Sequence, residues 1–352
     1  MKYSFIIPVY NRPDEVDELL DSLTRQECRD FEVVVVEDGS AVPCRDVCDR
    51  YADRLDLHYY NKENSGPGQS RNYGAERAQG EYLIVLDSDV VLPPGYLSAV
   101  DAELAERECD AFGGPDSAHP SFTPVQKAIS YSMTSFFTTG GIRGGKKKLD
   151  KFYPRSFNMG IRRDVYERLG GFSRMRFGED IDFSIRIFKA GCRCRLFPAA
   201  WVWHKRRTDF RKFWRQVYNS GIARINLYKK YPESLKLVHL LPMVFTVGVT
   251  GTLLLLFFGF LPYMLGTVHV FPTLGNAMAA LGCIGLLGII LYIIALFIDS
   301  SRKNHSVKIG VLSIRAAFTQ LMGYGCGFLS AWWKRCLLGQ SEFSAYNKTF
   351  YK

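Results

Sequence analysis

Two carboxylates stand one residue apart at the end of an apolar run, where Leu83-Ile84-Val85-Leu86 leads into Asp87-Ser88-Asp89. Four apolar residues followed by turn formers predict a buried strand that stops near Leu86, with the acids on the turn that leaves it. Side chains so placed can hold one hard cation, or the diphosphate it carries, at the carboxyl edge of a sheet. The same residue types also simply cap helices and build turns, so the pair alone leaves both readings open. Asp38, in Glu37-Asp38-Gly39-Ser40 after the run Phe31 to Val36, stands at a second strand end. A third acidic group, Gly178-Glu179-Asp180-Ile181-Asp182, opens a helix expected to run to about Lys189. Acids in a first helical turn stabilise the helix dipole, which is the plain reading of all three. The chemical reading is that Glu179 or Asp180 is the base a transfer reaction needs within hydrogen-bond reach of an attacking hydroxyl. A leaving diphosphate needs a cation, and two oxygen ligands with several waters suit Mg²⁺ or Mn²⁺.

The elements that must position these groups alternate. Tyr3 to Tyr10 is expected as a first strand with Pro8 near its end, since proline removes a ladder donor. Asn11-Arg12-Pro13-Asp14-Glu15 then opens a helix with Val16, Leu19, Leu20 and Leu23 on one face. Phe31 to Val36 is a second strand, Cys44 to Leu55 a helix, and Leu57 to Tyr60 a short strand. Asn64 to Gly74 is a glycine-rich turn running into a helix, whose free N–H groups favour anions and whose Arg71 offers a fork for phosphate. Strands alternating with helices imply a doubly wound, mostly parallel α/β sheet with ligands beyond the carboxyl ends of its strands. Asp38, Asp87 and Asp89 all fall on that rim. Residues 94–135 look less regular. Gly140 to Lys148 is glycine-rich and basic, either a solvated loop or a lid over an anionic acceptor. Phe157 to Ile161 is expected as a strand, Arg162 to Leu169 as a helix closed by Gly170-Gly171, and Leu196-Phe197 and Trp201 to His204 as late strands. Asp182 is expected to serve the helix dipole, and Arg186 to be a structural partner of such acids.

The 352-residue chain carries a net charge of +10, drawn largely from a cluster between Lys205 and Lys236. No nucleic-acid motif accompanies the charge, so a nucleic-acid partner is not expected. The nine cysteines are scattered with no Cys-x-x-Cys pair, which argues against zinc and for reduced thiols. Val238 to Leu265 and Leu274 to Ile298 carry no charged residue, and each exceeds the ~20 residues that span a bilayer. The loop between them lacks Lys and Arg, whereas the next has Arg302, Lys303 and Lys308. That asymmetry places the N-terminal region on the cytosolic side of a cytoplasmic membrane, as does the absence of a signal-peptide pattern. Ile309 to Trp333 contains Arg315 and Gln320, and an interfacial or re-entrant helix is favoured there over a third span. The expected organisation is a catalytic domain over 1–236, a membrane region over 237–333 and a tail over 334–352.

Phe5-Ile6-Ile7-Pro8-Val9-Tyr10-Asn11, Glu37-Asp38-Gly39-Ser40, Gly66 through Arg71-Asn72, Leu86-Asp87-Ser88-Asp89, Asn158-Met159 with Gly170-Gly171-Phe172, and Gly178-Glu179-Asp180 occur in this order. The set resembles family 2 glycosyltransferases of the GT-A fold over about residues 3–205. The resemblance implies inverting transfer of a sugar from a nucleotide sugar, UDP-linked in many members. It implies a donor site of Pro8, Tyr10, Asn11, Asp38, Gly66, Arg71, Asp87 and Ser88, with Asp38 on the base of the nucleotide and Asp87 on the ribose or sugar. It further implies Asp89 as the metal ligand, His204 as a second group near metal or diphosphate, Asp180 as the general base and Glu179 as its support. The chain has Phe213-Trp214-Arg215-Gln216-Val217 where processive members carry Gln-x-x-Arg-Trp, so addition of one sugar is expected rather than a polymer. With a membrane anchor, the acceptor implied is a lipid-linked glycan. A processive synthase and a non-catalytic scaffold that binds nucleotide sugar are the rival readings.

Overall fold

The computed structural model describes residues 1–119, 121–139, 153–175, 177–266 and 272–341. The segment Gly140 to Lys148, expected as a solvated loop or a lid, and the tail beyond residue 341 lie outside the described residues. In chain order the elements are β1 (Tyr3–Val9), α1 (Pro13–Thr24), β2 (Phe31–Asp38), α2 (Arg45–Asp49), β3 (Leu57–Lys62), α3 (Pro67–Ala75), β4 (Tyr82–Leu86), β5 (Val90–Val91), α4 (Tyr96–Glu106), β6 (Ala111–Gly113) and β7 (Asp116–Ser117). They continue with α5 (Pro124–Thr134), α6 (Phe136–Thr139), β8 (Asn158–Arg162), α7 (Arg163–Arg168), α8 (Glu179–Lys189), β9 (Cys194–Leu196), β10 (Val202–His204), α9 (Phe210–Lys230), α10 (Leu241–Met264), α11 (Pro272–Asn304) and α12 (Val307–Trp332). The chain forms two compact units, one holding the described residues up to 119 and from 153 to 205, the other 121–139 and 206–341.

The first unit is a seven-stranded sheet in the order β3-β2-β1-β4-β8-β6-β9. The four strands from β3 to β4 are parallel, and β8 runs antiparallel between β4 and β6. Alternate side chains of the parallel strands face opposite ways, and both faces are covered. On one, Phe5, Ile7, Val33, Val35 and Ile84 pack beneath Val16, Leu19, Leu20 and Leu23 of α1. On the other, Ile6, Val34, Val36, Leu83 and Val85 pack against Ala75, Phe172, Phe183 and Ile187. The apolar runs therefore end at the carboxyl edge, where β2 stops at Asp38 and β4 at Leu86. A second, three-stranded sheet, β5-β10-β7, forms beyond that edge. Its antiparallel register sets His204 opposite Val90, the residue after Asp89.

The helix expected over Cys44 to Leu55 is shorter, because only Val47 and Cys48 of α2 are buried and turns follow from Arg50. The stretch that looked irregular, 94–135, holds two regular helices. In α4 the buried residues Tyr96, Leu97, Val100 and Leu104 recur at helical spacing, and α5 opens with a Thr123–Gln126 capping box. Prolines and glycines just before each helix masked that periodicity in the sequence.

In the second unit α12 is one continuous helix with α5, α9, α10 and α11 packed around it. Its glycines allow close approach: a Cβ at Gly327 would stand 2.0 Å from the Tyr218 carbonyl of α9, and one at Gly325 would stand 2.1 Å from Thr246 Oγ1 of α10. Charge ends near residue 236, but the packing border falls at 205/206 because α9 buries Phe213, Val217, Ala223 and Leu227. Helices α10 and α11 are long and apolar enough to cross a membrane. Their apolar side chains, among them Leu253, Phe257, Ile284 and Leu291, point outward rather than into a core.

Asn72 on α3 ties the sheet-covering layer together. Its Nδ2 donates to the Phe172 carbonyl at 2.8 Å, and its Oδ1 accepts from the Phe172 N–H at 2.8 Å and the Tyr166 hydroxyl at 2.6 Å. Asn72→Ala strands these partners and is expected to lower stability by about 2 kcal/mol, read from denaturant midpoints. A change within the error of the midpoint would show that the turn holds itself.

Candidate functional site

Each acid predicted from the sequence sits where a strand or helix end delivers it. Asp38 closes β2 and is buried, with one carboxylate oxygen accepting the Ser65 N–H and the other the Gly66 N–H, both at 2.9 Å. Lys62 also pairs with it. Asp38 thus holds the glycine turn that opens α3. Asn11, with φ of 53°, donates its N–H to the Ser40 hydroxyl and accepts the Val42 N–H on Oδ1. Pro8 lies in β1, half-buried, and Tyr10 follows it, half-buried also. Ser88 is buried between the two acids of the β4–β5 turn.

Arg71, expected as a fork for phosphate, pairs with two of the protein's own carboxylates. The guanidinium is buried and spans two carboxylates, donating to Asp87 Oδ1 at 2.7 Å and to Glu179 Oε1 at 2.9 Å, above the Phe172 ring at 5.2 Å. Burial works against its charge, but the two carboxylates outweigh burial and raise its pKa. Glu179 is held by the same bond in the first turn of α8. Burial is the main cause that pushes Glu179 up to about 7; Arg71 opposes it, and the neighbouring Asp180 charge adds to it. Gly178 enters this helix at φ 84°, a left-handed conformation that lets the chain turn Glu179 inward. Asp180, next in line, accepts its own Ile181 N–H on Oδ1, and Arg155 donates to its Oδ2 at 3.2 Å.

Asp182 does more than serve the dipole. It is fully buried and pairs with Arg186 at 3.0 Å, whose remaining donors reach the Leu169 and Gly171 carbonyls at 2.6 Å each. That network locks α8 to the Gly170-Gly171 turn, in agreement with a structural role for Arg186.

Asp87, Asp89 and His204 converge. One ligand atom from each lies within 4.8 Å of the others. His204 Nε2 is 3.2 Å from Asp89 Oδ1, and Nδ1 is 3.7 Å from Asp116 Oδ2. Its ring stacks on Phe157 with centroids 4.8 Å apart. The imidazole thus lies between two carboxylates, with Nε2 on the side of Asp89. Two carboxylates and an imidazole fit a divalent cation of the Mn²⁺ or Mg²⁺ kind with positions left for phosphate oxygens or water. Arg12 Nη1 reaches Asp89 Oδ2 at 2.9 Å, and Asp89 and Glu15 raise its pKa against the effect of burial. The resemblance set Asp87 on the donor; the geometry also brings it beside Asp89 and His204.

Sequence reasoning missed four residues of this constellation: Arg12, Asp116, Arg155 and Phe157. Arg12 stands beside Asn11 in a stretch already singled out. Nothing local marks the other three, which arrive through the pairing of β7 with β10 and through the approach to β8.

A model of the family described as glycosyl transferase family 2 matches residues 4–170, short of Glu179, Asp180 and His204. The poly(ribitol-phosphate) beta-N-acetylglucosaminyltransferase TarS of Staphylococcus aureus is 35% identical over 114 residues, 31% of this chain and 20% of that protein. The probable glycosyltransferase YdaM of Bacillus subtilis is 25% identical over 317 residues, 84% of this chain and 72% of the relative. Among solved structures, the mannosyltransferase PcManGT from Pyrobaculum calidifontis, in complex with GDP-Man and Mn²⁺, superposes with a TM-score of 0.57 at 17% identity, over 95% of this chain and 88% of that one. That likeness carries the fold. The chain spans about a fifth of the length of TarS.

The raised pKa of Glu179 has a sign. The folded state binds this proton more tightly than the unfolded chain, so the group's contribution is fully present below its ordinary pKa of 4.5 and is lost as pH rises through about 7. Melting temperatures of the native protein should therefore fall, relative to those of Glu179→Gln, between those two pH values. Parallel curves would contradict the assignment.

Proposed function

We propose, from the premise that this chain is a glycosyltransferase of family 2, that it moves one sugar from a nucleoside-diphosphate sugar to a hydroxyl of a lipid-linked glycan, with inversion at the anomeric carbon. The convergence of Asp87, Asp89 and His204 at the carboxyl edge of the parallel strands carries this reading. Acids on a sheet rim serve a nucleotide that binds beyond the strand ends, and the diphosphate is the part that needs a cation. UDP-linked donors are the first choice to test, as the family resemblance implies, beside GDP-mannose, the donor in the PcManGT complex.

The chain's own groups divide the work. Pro8, Tyr10, Asn11, Asp38 and Gly66 border the nucleotide, with Asp38 fixing the Ser65–Gly66 turn against it. Asp87 and Ser88 face the donor. Asp89 and His204, with Asp87, hold Mn²⁺ or Mg²⁺, which would act as a Lewis acid on the departing diphosphate. Arg71 neutralises Asp87 and Glu179 at once, so two acids remain close without repelling each other. Asp180 takes the proton of the acceptor hydroxyl as its oxygen bonds to the anomeric carbon, while the bond to the diphosphate breaks and the nucleoside diphosphate leaves. Arg155 orients the Asp180 carboxylate.

Membrane anchoring rests on α10 and α11, the two helices long and apolar enough to cross a bilayer. With the basic Arg302, Lys303 and Lys308 inside, the catalytic unit works at the cytosolic face of the cytoplasmic membrane. A lipid-linked acceptor then shares that surface, and the pathway is surface-glycan synthesis.

Asp180→Asn leaves the fold and the donor site in place and removes the base. Sugar transfer to lipid acceptors in a membrane extract should drop about 10²–10⁴-fold, with donor binding retained. Undiminished transfer would remove Asp180 from the mechanism.

A further inference from the structure

We propose that the α5–α6 segment is a wedge that enters the hydrocarbon layer of the membrane from the cytosolic side, with Phe136 and Phe137 at its tip. This goes beyond the two spans and rests on the membrane reading of α11. Two hydrogen bonds measure the depth. Midway along it, Tyr131 donates to Asp299 Oδ2 at 2.7 Å, beside Lys303, which pairs with the same carboxylate at 3.0 Å. This charged cluster lies just past the uncharged run that ends at Ile298, at the level of head groups. Further on, the Phe137 carbonyl accepts from the Tyr292 hydroxyl at 3.0 Å. Tyr292 lies six residues inside that run, about 9 Å deeper along the helix axis at 1.5 Å per residue. A segment bound to α11 at both levels follows it down into the apolar layer.

The polar chemistry of the segment fits that place independently. A backbone in hydrocarbon must satisfy its polar groups internally. The hydroxyls here fold back on carbonyls: Ser132 on Ile129 at 2.9 Å, Thr134 on Ser130 at 2.9 Å, and Thr139 on Ser135 at 2.8 Å. Thr138 does the same toward Ser132 and Ser135. The Ser135 and Thr139 N–H groups go to the carbonyls of Tyr131 and Ser135 at 2.8 and 2.9 Å. What faces outward is apolar: Phe136 is 70% exposed and Phe137 40%, edge to face with each other. Two adjacent phenylalanines held outward beside a self-satisfied backbone are costly in water and favourable in a bilayer. The other face of α5, with Ala128 and Ile129, is packed against α9 and α12, so the wedge is braced from behind.

The test uses the full chain reconstituted in phosphatidylethanolamine–phosphatidylglycerol vesicles, with the photo-crosslinker benzoylphenylalanine placed in turn at Phe136, at Ile284 on α11, or at Lys212 on α9. After irradiation, mass spectrometry reads acyl-chain adducts. The proposal expects adducts at 136 comparable to those at 284, and none at 212. Adducts at 284 without adducts at 136 would overturn the wedge and leave the span intact. No adducts at 284 would overturn the membrane reading, and the wedge with it.

Discussion

One buried guanidinium orders the centre of the catalytic unit. Arg71 sits on the Phe172 ring and joins Asp87, at the end of a sheet strand, to Glu179, in the first turn of a helix from the far part of the chain. Glu179 is buried, and Arg71 offsets the burial that would otherwise drive its carboxylate further toward the protonated form. The bridge sets two further acids in register: Asp89 lies two residues from one end and Asp180 one residue from the other. The layer around it is fixed by Asn72 and by the Asp182–Arg186 pair, both turned toward the Gly170 to Phe172 turn.

Much of this was legible in the sequence. Strand ends were, because a run of apolar residues buried on both faces stops where polarity begins, as at Asp38 and Leu86. The positions of Asp87 and Asp89 just past a strand end were legible for the same reason. The two long apolar helices were legible because an uncharged apolar run of more than about twenty residues is long enough to match the thickness of a bilayer. Arg71 was singled out as a fork for phosphate from a glycine turn and a helix start; its pairing with Asp87 and Glu179 was not legible, because Glu179 lies more than a hundred residues further along the chain. Long-range pairing was not legible. Asp116 and Phe157 flank His204 only because short strands and turns distant in sequence meet beyond the main sheet.

The second unit follows a different rule. Its helices approach closely through glycines and bury small side chains, while α10 and α11 turn their large apolar residues outward. Charge composition and packing put the border between the units at different places: α9 carries Arg211, Lys212, Arg215, Lys229 and Lys230, yet buries Phe213, Val217, Ala223 and Leu227.

The central claim is that this rim binds a nucleoside diphosphate through a cation held by Asp87, Asp89 and His204. Thermal melting of the full chain with UDP-GlcNAc, GDP-mannose and the free diphosphates, each with and without Mn²⁺, tests it directly. Ligand that binds only the folded state raises the melting temperature. The expected result is a rise that requires nucleotide and Mn²⁺ together and disappears in Asp89→Ala. A rise of equal size without the metal, or one that survives the substitution, would contradict it.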